Sequence, residues 1–157
     1  MIEIKEDIKH QKFAWKVRKT GYIIILILVL LAFAGLFGSG FLSNGETSNK
    51  NLSISYERFT RAGGKAELIL NLKTFNKPDI SLKINNEYLK TLEINRIVPA
   101  PSEEKTGKPI SEFIFKSNPV NDNAVIKIYY TAGKPGIYDS EIIYNEDTLK
   151  YKQVIYP

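Results

Sequence analysis

Residues 65–73 read Lys-Ala-Glu-Leu-Ile-Leu-Asn-Leu-Lys, and within them Ala66, Leu68, Leu70 and Leu72 alternate with Glu67, Asn71 and Lys73. A period of two puts the apolar set on one side of an extended chain and the polar set on the other, so the stretch predicts a strand with one face in a core. The same period recurs on both sides. Upstream, Leu52, Ile54 and Tyr56 alternate with Ser53, Ser55 and Glu57, and Gly63-Gly64 supplies the turn between the two strands. Downstream, Ile80, Leu82 and Ile84 make a third strand. Asn85-Asn86, a pair that tolerates positive φ, then predicts a tight hairpin into a fourth strand through Tyr88, Leu92, Ile94 and Val98.

Residues 99–109, PAPSEEKTGKP, combine prolines, a glycine and charges, which predicts a long exposed loop of the kind that carries binding function. Beyond it, Ile110 to Lys116 sets Phe113 and Phe115 on one face, and Ile126, Ile128 and Tyr130 form another strand. Ile137 to Tyr144 and Leu149 to Tyr156 complete the set, separated by turns at Gly133-Lys134-Pro135-Gly136 and Asn145-Glu146-Asp147. Seven to eight short strands with regularly spaced turns predict an antiparallel immunoglobulin-like β-sandwich over residues 52–157.

A different pattern precedes it. Gly21 to Leu42, GYIIILILVLLAFAGLFGSGFL, contains no charged residue. At the rise of an α-helix this stretch spans about 33 Å, against about 30 Å for the hydrocarbon core of a bilayer. The fold class expected is therefore a single N-terminal transmembrane α-helix followed by an all-β domain. Before the helix, Lys5, Lys9, Lys12, Lys16, Arg18 and Lys19 outnumber Glu3, Glu6 and Asp7, and after it SNGETSNK offers one lysine. Basic residues stay with the cytoplasmic side. The reading is a cytoplasmic basic tail at 1–20, a transmembrane helix at 21–42, a polar spacer at 43–51 and an extracytoplasmic sandwich at 52–157. The setting is the bacterial cytoplasmic (inner) membrane, N-terminus in, with the C-terminal domain periplasmic or extracellular. Ala32-Phe33-Ala34 has the small-x-small form of a signal-peptide cleavage site, and cleavage after Ala34 is the rival reading. The apolar run through Leu36, Phe37, Phe41 and Leu42 favours a retained anchor. Ala34, Gly35, Gly38 and Ser39 form a small-xxx-small ridge suited to helix packing in lipid.

The chain has no cysteine, and its single histidine, His10, and single tryptophan, Trp15, both precede the anchor. The sandwich thus lacks thiol and imidazole nucleophiles and ligands, so no catalytic, metal or cofactor-binding residue is expected and no cofactor. The +5 formal charge comes largely from the basic tail, which argues against a nucleic-acid partner. Lysines dominate the basic residues after the anchor, and the arginines there are Arg58, Arg61 and Arg96. A planar guanidinium forms bidentate contacts that lysine cannot. Arg58 and Arg61 flank Phe59, and Arg96 falls in phase with Leu92, Ile94 and Val98. That phase predicts a buried Arg96 paired with Glu57 or Glu112, or else an arginine cluster that binds a partner.

The segments Tyr56-x-Arg58-Phe59-x-Arg61, Pro135-Gly136-x-Tyr138 and Tyr151-Lys152-Gln153-Val154-Ile155-Tyr156-Pro157 resemble an uncharacterised family of short single-pass bacterial membrane proteins with a C-terminal β-sandwich domain. The resemblance implies an envelope setting and a membrane-protein partner. The functional expectation is a non-enzymatic, membrane-anchored accessory or interaction protein, with the lipid bilayer and an envelope or membrane protein as partners. The alternative is a tethered ligand-binding or sensing module for a small anion or glycan.

Overall fold

Apolar residues at every second position force an extended chain to seek a second layer, and the chain builds two. The computed structural model describes residues 8–33, 43–74, 77–116 and 122–157. A five-stranded sheet contains β1 (Asn44–Ser48), β2 (Leu52–Glu57), β4 (Lys65–Lys73), β9 (Asn123–Ala132) and β6 (Leu92–Val98), in the order β1-β2-β4-β9-β6. Facing it is a six-stranded sheet of β3 (Phe59–Arg61), β11 (Asp147–Tyr156), β10 (Gly136–Tyr144), β5 (Asp79–Asn85), β8 (Ile110–Lys116) and β7 (Glu103–Lys105), in the order β3-β11-β10-β5-β8-β7. The pairing is antiparallel except between β3 and β11, which run parallel. Leu52, Ile54, Leu68, Leu70, Leu72, Ile126 and Ile128 from one sheet meet Ile80, Leu82, Ile84, Phe115, Ile142 and Ile155 from the other in one buried core. The central strands thus lie where the alternation predicts them.

The differences follow from which sheet each strand joins. β5 and β6 belong to opposite sheets, so no tight hairpin connects them. Asn85 instead keeps negative φ and caps a one-turn helix, α2 (Asn86–Leu89), its Oδ1 accepting from the Glu87 N–H at 2.8 Å. Tyr88, expected on a strand, is a buried helical residue. Residues 99–109 are not wholly loop, since β7 pairs with β8. The polar spacer at 43–51 is also corrected: Asn44–Ser48 is a strand paired along its length with β2. Backbone pairing needs no apolar side chain, and Gly45 permits the close approach, since a Cβ there would stand 2.6 Å from the Tyr56 ring. Two features do match the turn chemistry. Asn145 takes a φ of 53° in the β10–β11 hairpin, and Gly63 takes 74° before β4.

The helix α1 (Ile8–Phe33) takes in the expected anchor only as far as Phe33. Residues 34–42, including Ala34, Gly35, Gly38 and Ser39, lie outside the described residues. Among the described residues no helix is long and apolar enough to cross a membrane.

The core has a polar centre. Gln153 follows the inward phase of Leu149, Tyr151 and Ile155 and is fully buried. Its Oε1 accepts from the Tyr88 hydroxyl at 2.9 Å. Its Nε2 faces the Glu57 carbonyl at 2.9 Å, Thr60 Oγ1 at 3.0 Å and Tyr130 Oη at 2.6 Å, so two amide hydrogens are shared among three oxygens. One side chain on β11 thereby ties together β2, β3, β9 and α2. The neighbouring Tyr151 ring packs edge-on to Tyr88, with centroids 5.7 Å apart, and lies 4.3 Å from Tyr56 across the sheets.

β11 pairs with β10 on one side and β3 on the other, and carries this knot. Deleting residues 150–157 removes the ladder with β3 and most of the ladder with β10, and uncovers the core tyrosines. The truncated chain is expected to lose its cooperative unfolding transition in calorimetry; a transition retained at the parent temperature would show that the last strand is dispensable.

Candidate functional site

Strand phase decides what each sheet offers to solvent. On the outer face of the five-stranded sheet, Asn44 stands opposite Glu57, Glu67 opposite Tyr129, and Tyr129 opposite Arg96. Ser55 pairs with Ile69, which brings Glu57 beside Glu67 two positions along. A cleft of about 640 Å³ opens here, lined by Glu46, Tyr56, Glu57, Arg58 and Glu67 among others. Partial burial, and then the charge of Glu67, raise the Glu57 carboxyl above the usual glutamate value. Arg58 sits in this acidic cleft and is exposed. Phe59 is half-buried on β3 opposite Val154, and Arg61 is exposed opposite Tyr156.

Arg96 is elsewhere, and it is not buried. β6 follows the expected phase to Ile94, which faces inward opposite Tyr130. A bulge at Asn95 then inserts one residue, so Arg96 comes to lie opposite Tyr129 on the outer face and Ile97 takes the inward place. Asn95 also points out, donating to Thr131 Oγ1 at 2.9 Å. The expected pairing of Arg96 with Glu57 or Glu112 does not form. Glu67 and Tyr129 intervene before Glu57, and Glu112 accepts a short hydrogen bond from Ser81 Oγ. The ion pairs among the described residues are exposed lysine–carboxylate contacts such as Lys150–Glu141 at 3.5 Å. The three arginines are therefore not one cluster: Arg58 precedes β3 and Arg61 ends it, at the border of the six-stranded sheet, and Arg96 lies on β6, at the border of the other.

Two features singled out in the sequence do meet. Arg96 and the Pro-rich segment share a groove of about 560 Å³ on the open side of the sandwich, where β6 ends one sheet and β7 the other. Leu89, Ile94, Ile97, Pro101 and Phe113 give it an apolar floor, with Lys90, Arg96 and Glu104 also among its lining residues. The far wall is held by a small polar staple. Asn86 N–H donates to the Pro109 carbonyl at 2.9 Å, its Nδ2 donates to the Gly107 carbonyl at 3.0 Å, and Ser102 Oγ donates to the Ile114 carbonyl at 3.0 Å. The peptide bonds before Pro99 and Pro109 are cis. β6 is the longest border strand, with seven residues against five in β1 and three each in β3 and β7.

Among the described residues no group of three or more His, Cys, Asp or Glu side chains is placed to hold a metal ion. The carboxylate row of Glu46, Glu57 and Glu67 is not visible as a motif, because the three residues are ten or more positions apart in the chain. Their common outward phase on neighbouring strands is the signal that unites them.

Glu57 supplies a pH test. A carboxyl whose pKa is raised in the fold binds its proton more tightly there than in the unfolded chain. The fold therefore gains stability as pH falls through the raised value, and carries the full penalty above it. Glu57→Gln should melt higher than the parent at pH 7, with the gap closing as pH falls below about 4, where unfolded glutamate is itself protonated. Equal melting temperatures across that series would contradict the partial burial of Glu57 beside Glu67.

No protein-family model and no curated protein matches this sequence. Some solved structures are similar to it in part. The cohesin module from the Clostridium perfringens ATCC13124 family 33 glycoside hydrolase is 12% identical, covers 70% of this chain and 98% of its own, and superposes with a TM-score of 0.48. ACE19, the collagen binding subdomain of the Enterococcus faecalis surface protein ACE, is 12% identical over 62% of this chain and 92% of its own, at 0.34. The PmoD soluble domain from Methylocystis sp. ATCC 49242 (Rockwell) is 12% identical over 70% and 95%, at 0.36.

Proposed function

We propose that the chain is a membrane-anchored, non-enzymatic interaction protein that presents its sandwich outside the cytoplasm and engages a protein partner in the envelope along β6 and the adjoining groove. The observation that carries the reading is the groove itself. Half-buried Ile94 and Ile97, with Val98 36% exposed beside them, stand next to a sheet border that no described segment covers. Apolar surface next to a free strand border suits capture of an extended segment or a second sheet. A sandwich without histidine or cysteine is poorly equipped for chemistry and well equipped for binding.

The anchor part of the reading rests on Gly21 to Leu42. Within its described portion, Tyr22 to Leu31 and Phe33 leave large apolar side chains exposed all around α1. A helix that is apolar on every side is suited to lipid rather than to one protein face. The lysine-rich side of that helix gives the orientation. The alternative of an anion or glycan sensor at an arginine cluster is weakened by the separation of the arginines, and by the Glu46, Glu57 and Glu67 carboxylates that share the cleft with Arg58.

A reporter that is active only outside the cytoplasm, fused after Pro157, should be active in cells. The full chain purified from native membranes should carry a protein partner in fixed stoichiometry that is lost on Ile97→Arg. A reporter active only in the cytoplasm would reverse the orientation. A chain that copurifies with nothing, yet binds a small anion through Arg58, would replace the interaction reading with the sensor.

A further inference from the structure

We propose that the partner at β6 is a second copy of this chain, joined by antiparallel pairing of β6 with β6; the proposal rests on the interaction reading above. Three observations converge on it. Among the described residues β6 is the longest strand at a sheet border and pairs only with β9, and it contains no proline or lysine to obstruct a further strand. Its outward charges are Glu93 and Arg96, and among the described residues neither makes an ion pair or hydrogen bond. The third observation is the bulge.

Residues three apart on a regular strand point to opposite faces. The extra residue at Asn95 changes this: Glu93 pairs with Thr131 and Arg96 with Tyr129, two residues of the same outward phase on β9. Glu93 and Arg96 therefore project from one face. A two-fold axis between Ile94 and Asn95 then sets Glu93 of each copy opposite Arg96 of the other, giving two identical ion pairs on the outer face. On the inner side, Ile94 and Ile97 of both copies extend a single apolar layer. An interface of this kind is self-complementary, as a two-fold axis demands. Exposed ion pairs add little strength, so the charges fix the register while backbone hydrogen bonds and the isoleucines hold the sheets together. The outcome is a continuous ten-stranded sheet with the grooves of both copies beside the joint.

The absence of cysteine makes the test clean. In the proposed register the two copies of residue 95 lie about 6 Å apart, within disulfide reach, whereas the two copies of residue 98 lie about 23 Å apart. Full-length Asn95→Cys, oxidised in native membranes, should form a covalent dimer, and Val98→Cys should not. Adding Glu93→Arg or Arg96→Glu alone to Asn95→Cys should cut the dimer yield several-fold, and adding both should restore it, because the swap rebuilds the pairs with their signs exchanged. A dimer insensitive to the single reversals would overturn the proposal, as contact through the helices alone would give that result. A photo-crosslinker at Ile97 that attaches to a different protein, with no Asn95→Cys dimer, would overturn self-pairing and leave the interaction reading standing. No crosslink of either kind would sink both.

Discussion

The sandwich depends on one buried amide. Gln153 is fully enclosed, yet it presents a hydrogen-bond acceptor and a donor pair to groups from four other elements. An unpaired amide in such a place would cost about 1 to 3 kcal/mol, and each hydroxyl left without it a comparable amount. The arrangement is therefore stable only when complete, which makes it selective. A slip of β11 by one residue would turn Gln153 to solvent and bring Lys152 or Val154 inward, breaking every bond of the knot at once. Apolar residues alone would hold two sheets together; Gln153 determines how they sit.

That constraint reaches the surface. By holding the Glu57 carbonyl, Gln153 fixes the end of β2 whose side chain lines the acidic cleft. By holding the Tyr88 hydroxyl, it fixes α2, from which Leu89 and Lys90 face the groove and Asn86 staples its far wall. Burial raises the Tyr88 hydroxyl well above ordinary tyrosine behaviour and pushes those of Tyr130 and Tyr151 up as well, so all three remain protonated and Tyr88 keeps the proton it donates to Gln153. The two clefts on opposite borders of the five-stranded sheet are thus positioned by one interior group.

The sequence made the strands legible because alternation is a direct consequence of burying one face. β2, β4, β5, β8, β9, β10 and β11 all lie where their apolar residues place them. What escaped was whatever depends on neighbours rather than on a strand's own pattern. Asn85-Asn86 carries the composition of a hairpin, yet its flanking strands join different sheets and the chain turns through a helix. Arg96 sits in apolar phase by simple counting, and a bulge at Asn95 reverses it. Residues 44–48 are too polar for a core, but strand pairing asks only for backbone and for Gly45 to clear the Tyr56 ring. Gln153 was visible as a polar residue at an inward position, a signal that a search confined to charged side chains passes over.

The most direct measurement is the unfolding free energy of Gln153→Leu by chemical denaturation of the full chain in detergent micelles. Leucine fills similar space but leaves Tyr88, Tyr130 and the Glu57 carbonyl without their shared partner. A loss of about 3 to 5 kcal/mol is predicted from two or three stranded polar groups. A change within about 0.5 kcal/mol would contradict the claim that this amide organises the fold.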